Sequence, residues 1–415
     1  MKTILKSVNM VNPLNEDVIK TDIFIENGLI SSMENQSGDN ETAENNAERI
    51  DSIDCDGFFA APGLIDVHVH FRDPGLTYKE DIGSGSKAAA FGGFTTVCGM
   101  ANTIPAVDSV DTLLYVDHKG IEKGYVNYLS VGAMSKGLKG KELTDIFALD
   151  KAVTRSKEMS GHGIIALSDD GVTLKDNDLM SEACKVCKSL DLLIMDHPES
   201  ETEMVFRDIE LSKKYGTKIH LQHISKKESV DLIRQAKADK LNISAEAAPH
   251  HFYLNEDIIS KFKTNAKMNP PLATEKDRKA VLEGLIDDTI DIISTDHAPH
   301  TTEEKNTQFE KAPFGIIGLE TSFPVSYTVL VESKMMSLNK LINKMSTKPA
   351  EILGVKRGLI NPGSAADITI LDIENEYEID KNRFASKARN TPFDGMSVRG
   401  RVIMTIKDGI ITFKR

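Results

Sequence analysis

The sequence predicts an α/β protein, a (β/α)8 TIM-like barrel carrying a small β-sandwich domain formed from both termini. Three observations predict it. Eight short apolar or β-branched runs recur through the middle of the chain, longer amphipathic stretches separate them, and both flanks carry short alternating segments instead.

The runs are "GLIDVHVH" at 63, "FTTVCGM" at 94, "YVNYLSVGA" at 125, "GIIALSDD" at 163, "LLIMDH" at 192, "KIHLQHIS" at 218, "LNISAEAAPHH" at 241 and "IDIISTDHAPH" at 290. Between them, "KKESVDLIRQAKADK" and "EKDRKAVLEGLIDD" repeat apolar residues at spacings of three and four, as one-sided helices do. Strand–helix alternation favours a parallel sheet with helical crossovers. Eight strands within roughly 240 residues fit a barrel better than a doubly wound open sheet of about six.

The flanking segments "DVIKTDIFIENGLISSM", "ADITILDI" and "SVRGRVIMTIKDGIITF" alternate with period two and contain "ENG" and "KDG" turn signals. Residues 1–60 and 356–415 are therefore expected to form one composite β domain on a barrel spanning 61–355. The acidic stretch "ENQSGDNETAENNAERIDSID" is expected to be a solvated loop of that domain.

With 415 residues, 40% hydrophobic and 27% charged, the chain can bury a sizeable core. Its formal net charge of -13 argues against a general affinity for nucleic acid or anionic membranes, so an anionic ligand must be held by local positive charge. The start, "MKTILKSVNMVNP", lacks the continuous apolar region of a signal peptide, and no apolar run approaches the ~20 residues of a membrane span. The protein is expected to be cytoplasmic. Four cysteines are too few for a disulfide framework, and Cys184 and Cys187 in "LMSEACKVCKSL" read as buried thiols one helical turn apart. "GSGSKA" at 83 lacks the spacing of a phosphate loop and reads as the opening of a helix.

Catalytic groups of barrel enzymes sit where the strands end. His70, Asp170, His197, His223 and Asp296 all stand at or near the ends of runs. His68 and His70 share a strand face, so their imidazoles can converge on one point and chelate a divalent ion such as zinc. Alone, such a pair reads sooner as polar residues on a solvated strand face; the company decides. Four histidines exceed what one catalytic zinc takes, but two metals can share them if a carboxylate, Asp169 or Asp170, bridges. Such a pair polarises a water into a hydroxide nucleophile near neutral pH, so the constellation is that of a hydrolytic site. Asp296 can ligate a metal and accept the proton of that water.

Arg72, at the rim, offers bidentate binding to a carboxylate, Asn102 can add donors, and His300 can reach a ligand. The substrate is expected to be a small anion with a hydrolysable amide or ester. His297 reads as structural, His118, His162 and His220 as structural or surface residues, and His250 and His251 as bordering the pocket without a required role.

Together "GLIDVHVHFRDPG", "KAAAFGGFTTVCGMANT", "LSDDG", "HISKKES", "MNPPL", "TDHAPH" and "APFGIIGLET" resemble, in order and over essentially the whole chain, the class I dihydroorotases of the amidohydrolase superfamily. The resemblance implies reversible cyclisation of N-carbamoyl-L-aspartate to L-dihydroorotate in de novo pyrimidine (UMP) synthesis. It makes His68 and His70 ligands of one metal, His197 and His223 ligands of the other, and Asp170 the bridge, since its 27-residue step to His197 fits the family spacing. Asp296 resembles the ligand that doubles as general base. The metals implied are two Zn2+ per subunit, bridged by Asp170 and a hydroxide.

By the same resemblance His70, Arg72, Asn102 and His300 look like substrate contacts around the carboxylate. Asn269, Phe314 and Gly315 look like contacts to the ring, with residues 300–313 as a lid. Some relatives dock onto aspartate transcarbamoylase, and that association and a homodimer both stay open for this chain. The chain departs from the family in "GMANT", in "MDHPES" and in a short connection from His197 to His223. Other cyclic amidases, allantoinases and hydantoinases, carry a carboxylated lysine where "SDDG" has aspartate. A metal-free structural homologue is the remaining alternative, and the full ligand set speaks against it.

Overall fold

A computed structural model describes residues 2–35 and 50–415, so most of the acidic stretch expected as a loop lies outside the described residues. Each of the eight runs contains a strand: β1 (Leu64–Val69), β2 (Phe94–Gly99), β3 (Asn127–Gly132), β4 (Ala166–Leu167), β5 (Leu193–Asp196), β6 (Ile219–Leu221), β7 (Ile243–Ala247) and β8 (Ile292–Ile293). They lie in chain order, each parallel to the next. The ring closes beyond β8, where the His70 amide donates to the His297 carbonyl at 2.9 Å and Val69 bridges His297 in parallel.

Every residue of β1, β2 and β3 is buried, because inward side chains fill the barrel while outward ones meet the helices. Ile65, Val67, Cys98, Met100, Leu129, Val131 and Met195 form one cluster, on which Leu353 and Val355 pack. The helices arise where the apolar spacing places them. Lys227–Ala238 buries Val230, Ile233 and Ala236; Glu275–Ile286 buries Val281 and Leu285 and starts at Thr274, whose hydroxyl accepts from the Asp277 amide at 3.3 Å. "GSGSKA" lies in the helix Ile82–Phe91, capped reciprocally by Asp81 and Ser84. Cys184 and Cys187 are free and buried in the helix Asn177–Leu190, and burial pushes both thiols up. No described helix is long and apolar enough to cross a membrane.

The terminal segments form a second eight-stranded sheet, with Lys2–Val11, Val18–Glu26, Leu29–Asn35, Ile50–Asp54 and Phe59–Pro62 from the N-terminal side and Ile368–Asp372, Arg401–Lys407 and Ile410–Lys414 from the C-terminal side. Its two turn signals both take left-handed backbone, at Asn27 (φ 53°) and Gly28 (φ 82°) and at Asp408 (φ 48°) and Gly409 (φ 77°), as two-residue hairpins require. The turns meet: a Cβ on Gly28 would lie 2.9 Å from the Asp408 carbonyl oxygen. The sheet therefore folds on itself around Leu5, Ile23, Ile25, Ile368, Ile370 and Ile406.

Phe59–Pro62 runs across position 60 and pairs with Ile368–Asp372. Within 356–415, the stretch around 377–398 leaves the sheet. Ile379, Phe393 and Val398 pack with Leu254, Leu272 and Val325 of the barrel.

Close packing makes one glycine diagnostic. A Cβ on Gly99, at the end of β2, would lie 2.0 Å from the hydroxyl of Tyr128, which is itself buried. Gly99→Ala is expected to destabilise the protein by about 1–3 kcal/mol through overpacking, read as a lower midpoint in thermal or urea unfolding. An unchanged midpoint would contradict this packing.

Candidate active site

The C-terminal ends of five strands converge on one carboxylate. His68 Nε2 lies 3.1 Å from Asp170 Oδ1, His70 Nε2 lies 3.3 Å from Asp170 Oδ2, and His197 Nδ1 lies 3.2 Å from Asp170 Oδ1. His223 Nε2 stands 2.7 Å from His197 Nδ1, and Asp296 Oδ1 stands 3.0 Å from His70 Nε2 and 3.5 Å from His68 Nε2. All six side chains are buried. Two groups result, His68–His70–Asp170 and Asp170–His197–His223, each with ligand atoms within 4.8 Å of one another.

Asp169 is excluded from this cluster by its own bonds. One of its oxygens accepts from the Ser135 amide at 2.9 Å and the other from the Ser135 hydroxyl, tying it to the loop after β3. Gly171 follows Asp170 at φ 84°, and a Cβ there would lie 2.9 Å from Asn102 Nδ2, so glycine admits that amide to the carboxylate. Left-handed backbone recurs at Arg72 (φ 59°), His223 (φ 34°) and Asp296 (φ 47°), where the chain turns to aim a side chain into the mouth.

These donors fit divalent metal. Asp170 Oδ1 touches two imidazoles without hydrogen-bond geometry to either, and His223 Nδ1 is likewise buried without a partner. Burial opposes charge on Asp296, yet His68 and His70 hold its carboxyl down at about 2; the same imidazoles hold Asp170 well below the carboxylate range. Burial and the neighbouring His197 push His223 down to about 3, leaving the neutral imidazole a metal takes. Against burial, Asp296, Glu246 and Asp170 raise His68 well above the usual imidazole range, so the cluster attracts positive charge.

Glu246, on β7, is a residue the sequence reading missed. Its Oε1 lies 2.6 Å from His68 Nδ1 and accepts from the His223 amide at 3.2 Å, while Oε2 lies 3.1 Å from His220 Nε2. A carboxylate on Nδ1 fixes the ring and leaves Nε2 as the free ligand atom. The available signal was strand alternation: Glu246 shares a face with Ser244 in "ISAEA", beside strands that carry histidines.

At the rim, Arg72 Nε is buried without a hydrogen-bond partner, near Asp296 and Asp170. Asn102 and His300 are more committed than expected. Asn102 joins two members of the cluster, His70 Nδ1 at 2.9 Å and Asp170 Oδ2 at 3.1 Å. His300 donates through Nε2 to the Phe314 carbonyl at 2.8 Å, and its Nδ1 faces Lys79 Nζ at 3.3 Å, another contact not foreseen. Asn269 Nδ2 stands 3.5 Å from His197 Nε2, and Phe314 is half exposed with Lys267 Nζ 4.6 Å from its ring centre. A Cβ on Gly315 would lie 2.4 Å from the Ala298 carbonyl oxygen, so glycine permits this close approach. His297 is structural, accepting from the Gly318 amide at 3.2 Å, and His220, His250 and His251 are buried behind the cluster.

The segment 300–313 is strapped down by two buried lysines. Lys305 Nζ donates to the Pro313 and Gly315 carbonyls at 3.0 Å each, and Lys267 Nζ to those of Phe309 at 2.6 Å and Glu310 at 3.0 Å.

The profile of the amidohydrolase family matches residues 59–411. The chain is 46% identical over 388 residues to the dihydroorotase of Clostridioides difficile (strain 630), covering 87% of this chain and 89% of that one. It is 40% identical to the dihydroorotase of Elusimicrobium minutum (strain Pei191), over 99% of this chain and 97% of that one. The chain belongs to the amidohydrolase family, among its dihydroorotases. Solved structures similar to this amidohydrolase include the L-hydantoinase (dihydropyrimidinase) of Arthrobacter aurescens, with a TM-score of 0.88 and 24% identity over 99% of this chain and 96% of that one. The dihydropyrimidinase of Brevibacillus agri NCHU1002 superposes with a TM-score of 0.85 and 22% identity, over 100% of this chain and 95% of that one. At such identities they bear on the fold alone, the barrel with its separate sheet.

Glu246→Gln in this amidohydrolase is expected to weaken divalent-metal binding by about 10–100-fold, measured by competition with a chromogenic chelator. Unchanged affinity would remove Glu246 as the residue that orients His68.

Proposed function

We propose that this chain is a metal-dependent dihydroorotase, which interconverts L-dihydroorotate and N-carbamoyl-L-aspartate in cytoplasmic de novo pyrimidine synthesis. The observation that carries the reading is Arg72, whose buried, unpartnered Nε lies beside a cluster able to hold a metal pair. A guanidinium there suits a substrate with an exocyclic carboxylate, which hydantoin and allantoin lack. The family membership and near full-length similarity to dihydroorotases support the same choice.

In this proposal His68, His70 and Asp296 would hold one zinc ion and His197 and His223 the other, with Asp170 available to both. Bound there, the ions would lower the pKa of water and polarise the ring amide. The chain's own residues do the rest. Arg72 holds the substrate carboxylate and so fixes the ring against the cluster, while Asn269, Phe314 and Gly315 border the ring. Asn102, bonded to His70 and Asp170, keeps those two side chains in register. In hydrolysis a bond forms from water oxygen to the amide carbon and the carbon–nitrogen bond breaks. Asp296, ionised at neutral pH, takes the water proton and delivers it to the departing ring nitrogen. Cyclisation runs the same transfers in reverse.

Zinc-loaded protein incubated separately with dihydroorotate, hydantoin and allantoin is expected to turn over dihydroorotate alone; turnover of either other ring without dihydroorotate would overturn the reading. Asp296→Asn is expected to lose about 10²–10⁴-fold in kcat while keeping much of its metal, as loss of a general base does. Arg72→Met is expected to lower kcat/KM for dihydroorotate by about 100-fold, roughly 2.7 kcal/mol, through the lost charged hydrogen bonds. Full activity in either variant would remove that residue from its role.

A further inference from the structure

A cavity of about 400 Å³ lies between the start of the 300–313 segment, the turn Lys263–Ala266 and the C-terminal stretch that leaves the small sheet. Asn265, His300, Lys305, Asn306, Lys381 and Arg389 line it, and no carboxylate does. In a chain of net charge -13, a cavity lined by cations, amides and hydroxyls alone selects for negative charge.

Two of these cations make no direct ion pair, although Glu304 acts on Lys305 and Glu320 on Arg389 at longer range. Lys305 is 4% exposed, and its ammonium meets only backbone carbonyls, those of Lys267, Pro313 and Gly315. Its neighbour Glu304 turns away to Lys79 Nζ, at 2.9 Å. The Arg389 guanidinium likewise donates only to carbonyls, those of Phe384, Ser386 and Ala388. The third, Lys381, pairs with Asp394 at 3.0 Å. Burial and the neighbouring Lys267 push Lys305 down to about 7, the cost of a buried ammonium that carbonyl dipoles offset only in part. The side-chain amides of Asn265 and Asn306 have no hydrogen-bond partner among the described residues. Two cations without a direct ion pair and two unused amides, brought by three separate segments, line one volume.

We propose that this cavity is a second binding site, apart from the histidine–aspartate cluster, for a small phosphate-bearing anion: inorganic phosphate or the phosphate group of a nucleotide. Donors arriving from three segments suit an oxyanion with several oxygens, and Arg and Lys with amides form a phosphate-binding set. The cavity is roomy enough for the group attached to such a phosphate. His300 lines the cavity and also stands at the rim of the cluster, so an occupant is one side chain away from the reacting centre.

Isothermal titration of the zinc-loaded full chain with inorganic phosphate, UMP, uridine and succinate tests the proposal. Phosphate and UMP are expected to bind one to one, and uridine and succinate at least tenfold more weakly. Tighter binding of UMP than of phosphate assigns the site to a nucleotide, and equal binding assigns it to free phosphate. The double variant Asn265→Asp, Asn306→Asp places carboxylates in the cavity without removing any described bond. It is expected to weaken phosphate binding by about tenfold or more while leaving dihydroorotate turnover and the unfolding midpoint unchanged. Lys381→Ala, on a partly exposed residue, supplies an independent variant and is expected to weaken binding severalfold. Binding unaltered in these variants would locate the phosphate on the metals instead and overturn the proposal, as would succinate binding as tightly as phosphate. The binding readout needs no turnover, so its failure is separable from failure of the dihydroorotase reading.

Discussion

Everything at the barrel mouth depends on Asp170. It is one carboxylate with two oxygens, and three imidazoles from two strands lie within 3.3 Å of them. All members of this cluster are buried, and two of its atoms, Asp170 Oδ1 and His223 Nδ1, have no hydrogen-bond partner. Only a closed parallel barrel brings β1, β4, β5, β6 and β8 to one point from a chain in which they are far apart. The bond from the His70 amide to the His297 carbonyl, which closes the ring, sits between two of the residues it serves to align.

A cluster of this kind needs a supporting layer to fix each ring. Glu246 orients His68 and receives the His223 amide; Glu201 receives the Ser225 and Lys226 amides at 3.1 and 2.9 Å and so anchors the turn that carries His223. On the rim, Asn390 does the equivalent for the substrate side. Its amide nitrogen donates to the Ala298 and Gly315 carbonyls at 3.0 and 2.9 Å, and its oxygen accepts from the His300 amide at 3.2 Å. The C-terminal stretch that leaves the small sheet therefore stitches the loops that border the site, and the same stretch walls the cationic cavity.

Strand order, helix positions and the histidines and aspartates gathered at strand ends were legible in the sequence because each follows from a local rule: alternation, three-and-four spacing, and polarity at the C-terminal end of an apolar run. His68 and His70 are the clearest case, since spacing alone places both on one face. The choice of Asp170 over Asp169 comes from the resemblance, through the 27-residue step to His197, and no local rule within the chain gives its physical reason. That reason is Ser135, a residue on another strand's loop that captures Asp169. Glu246 was hidden for a similar reason: a single glutamate on a buried strand has no motif, and its role exists only across the barrel from His68. The sequence offers Asn102 as a donor and His300 as a residue that reaches a ligand, but their bonds to His70, Asp170 and the Phe314 carbonyl join residues distant in the chain and leave no local trace. The path of residues 377–398 is likewise a matter of which core lies within reach.

The central claim is that Asp170 is shared by two metal ions while each histidine pair serves one. Metal content by mass spectrometry of the purified wild type, Asp170→Ala and His197→Ala under identical zinc loading tests it most directly. The account expects about two ions per chain in the wild type, about one in His197→Ala and fewer than one in Asp170→Ala, as the loss of a shared ligand requires. Asp170→Ala retaining both ions with a wild-type unfolding midpoint would contradict it.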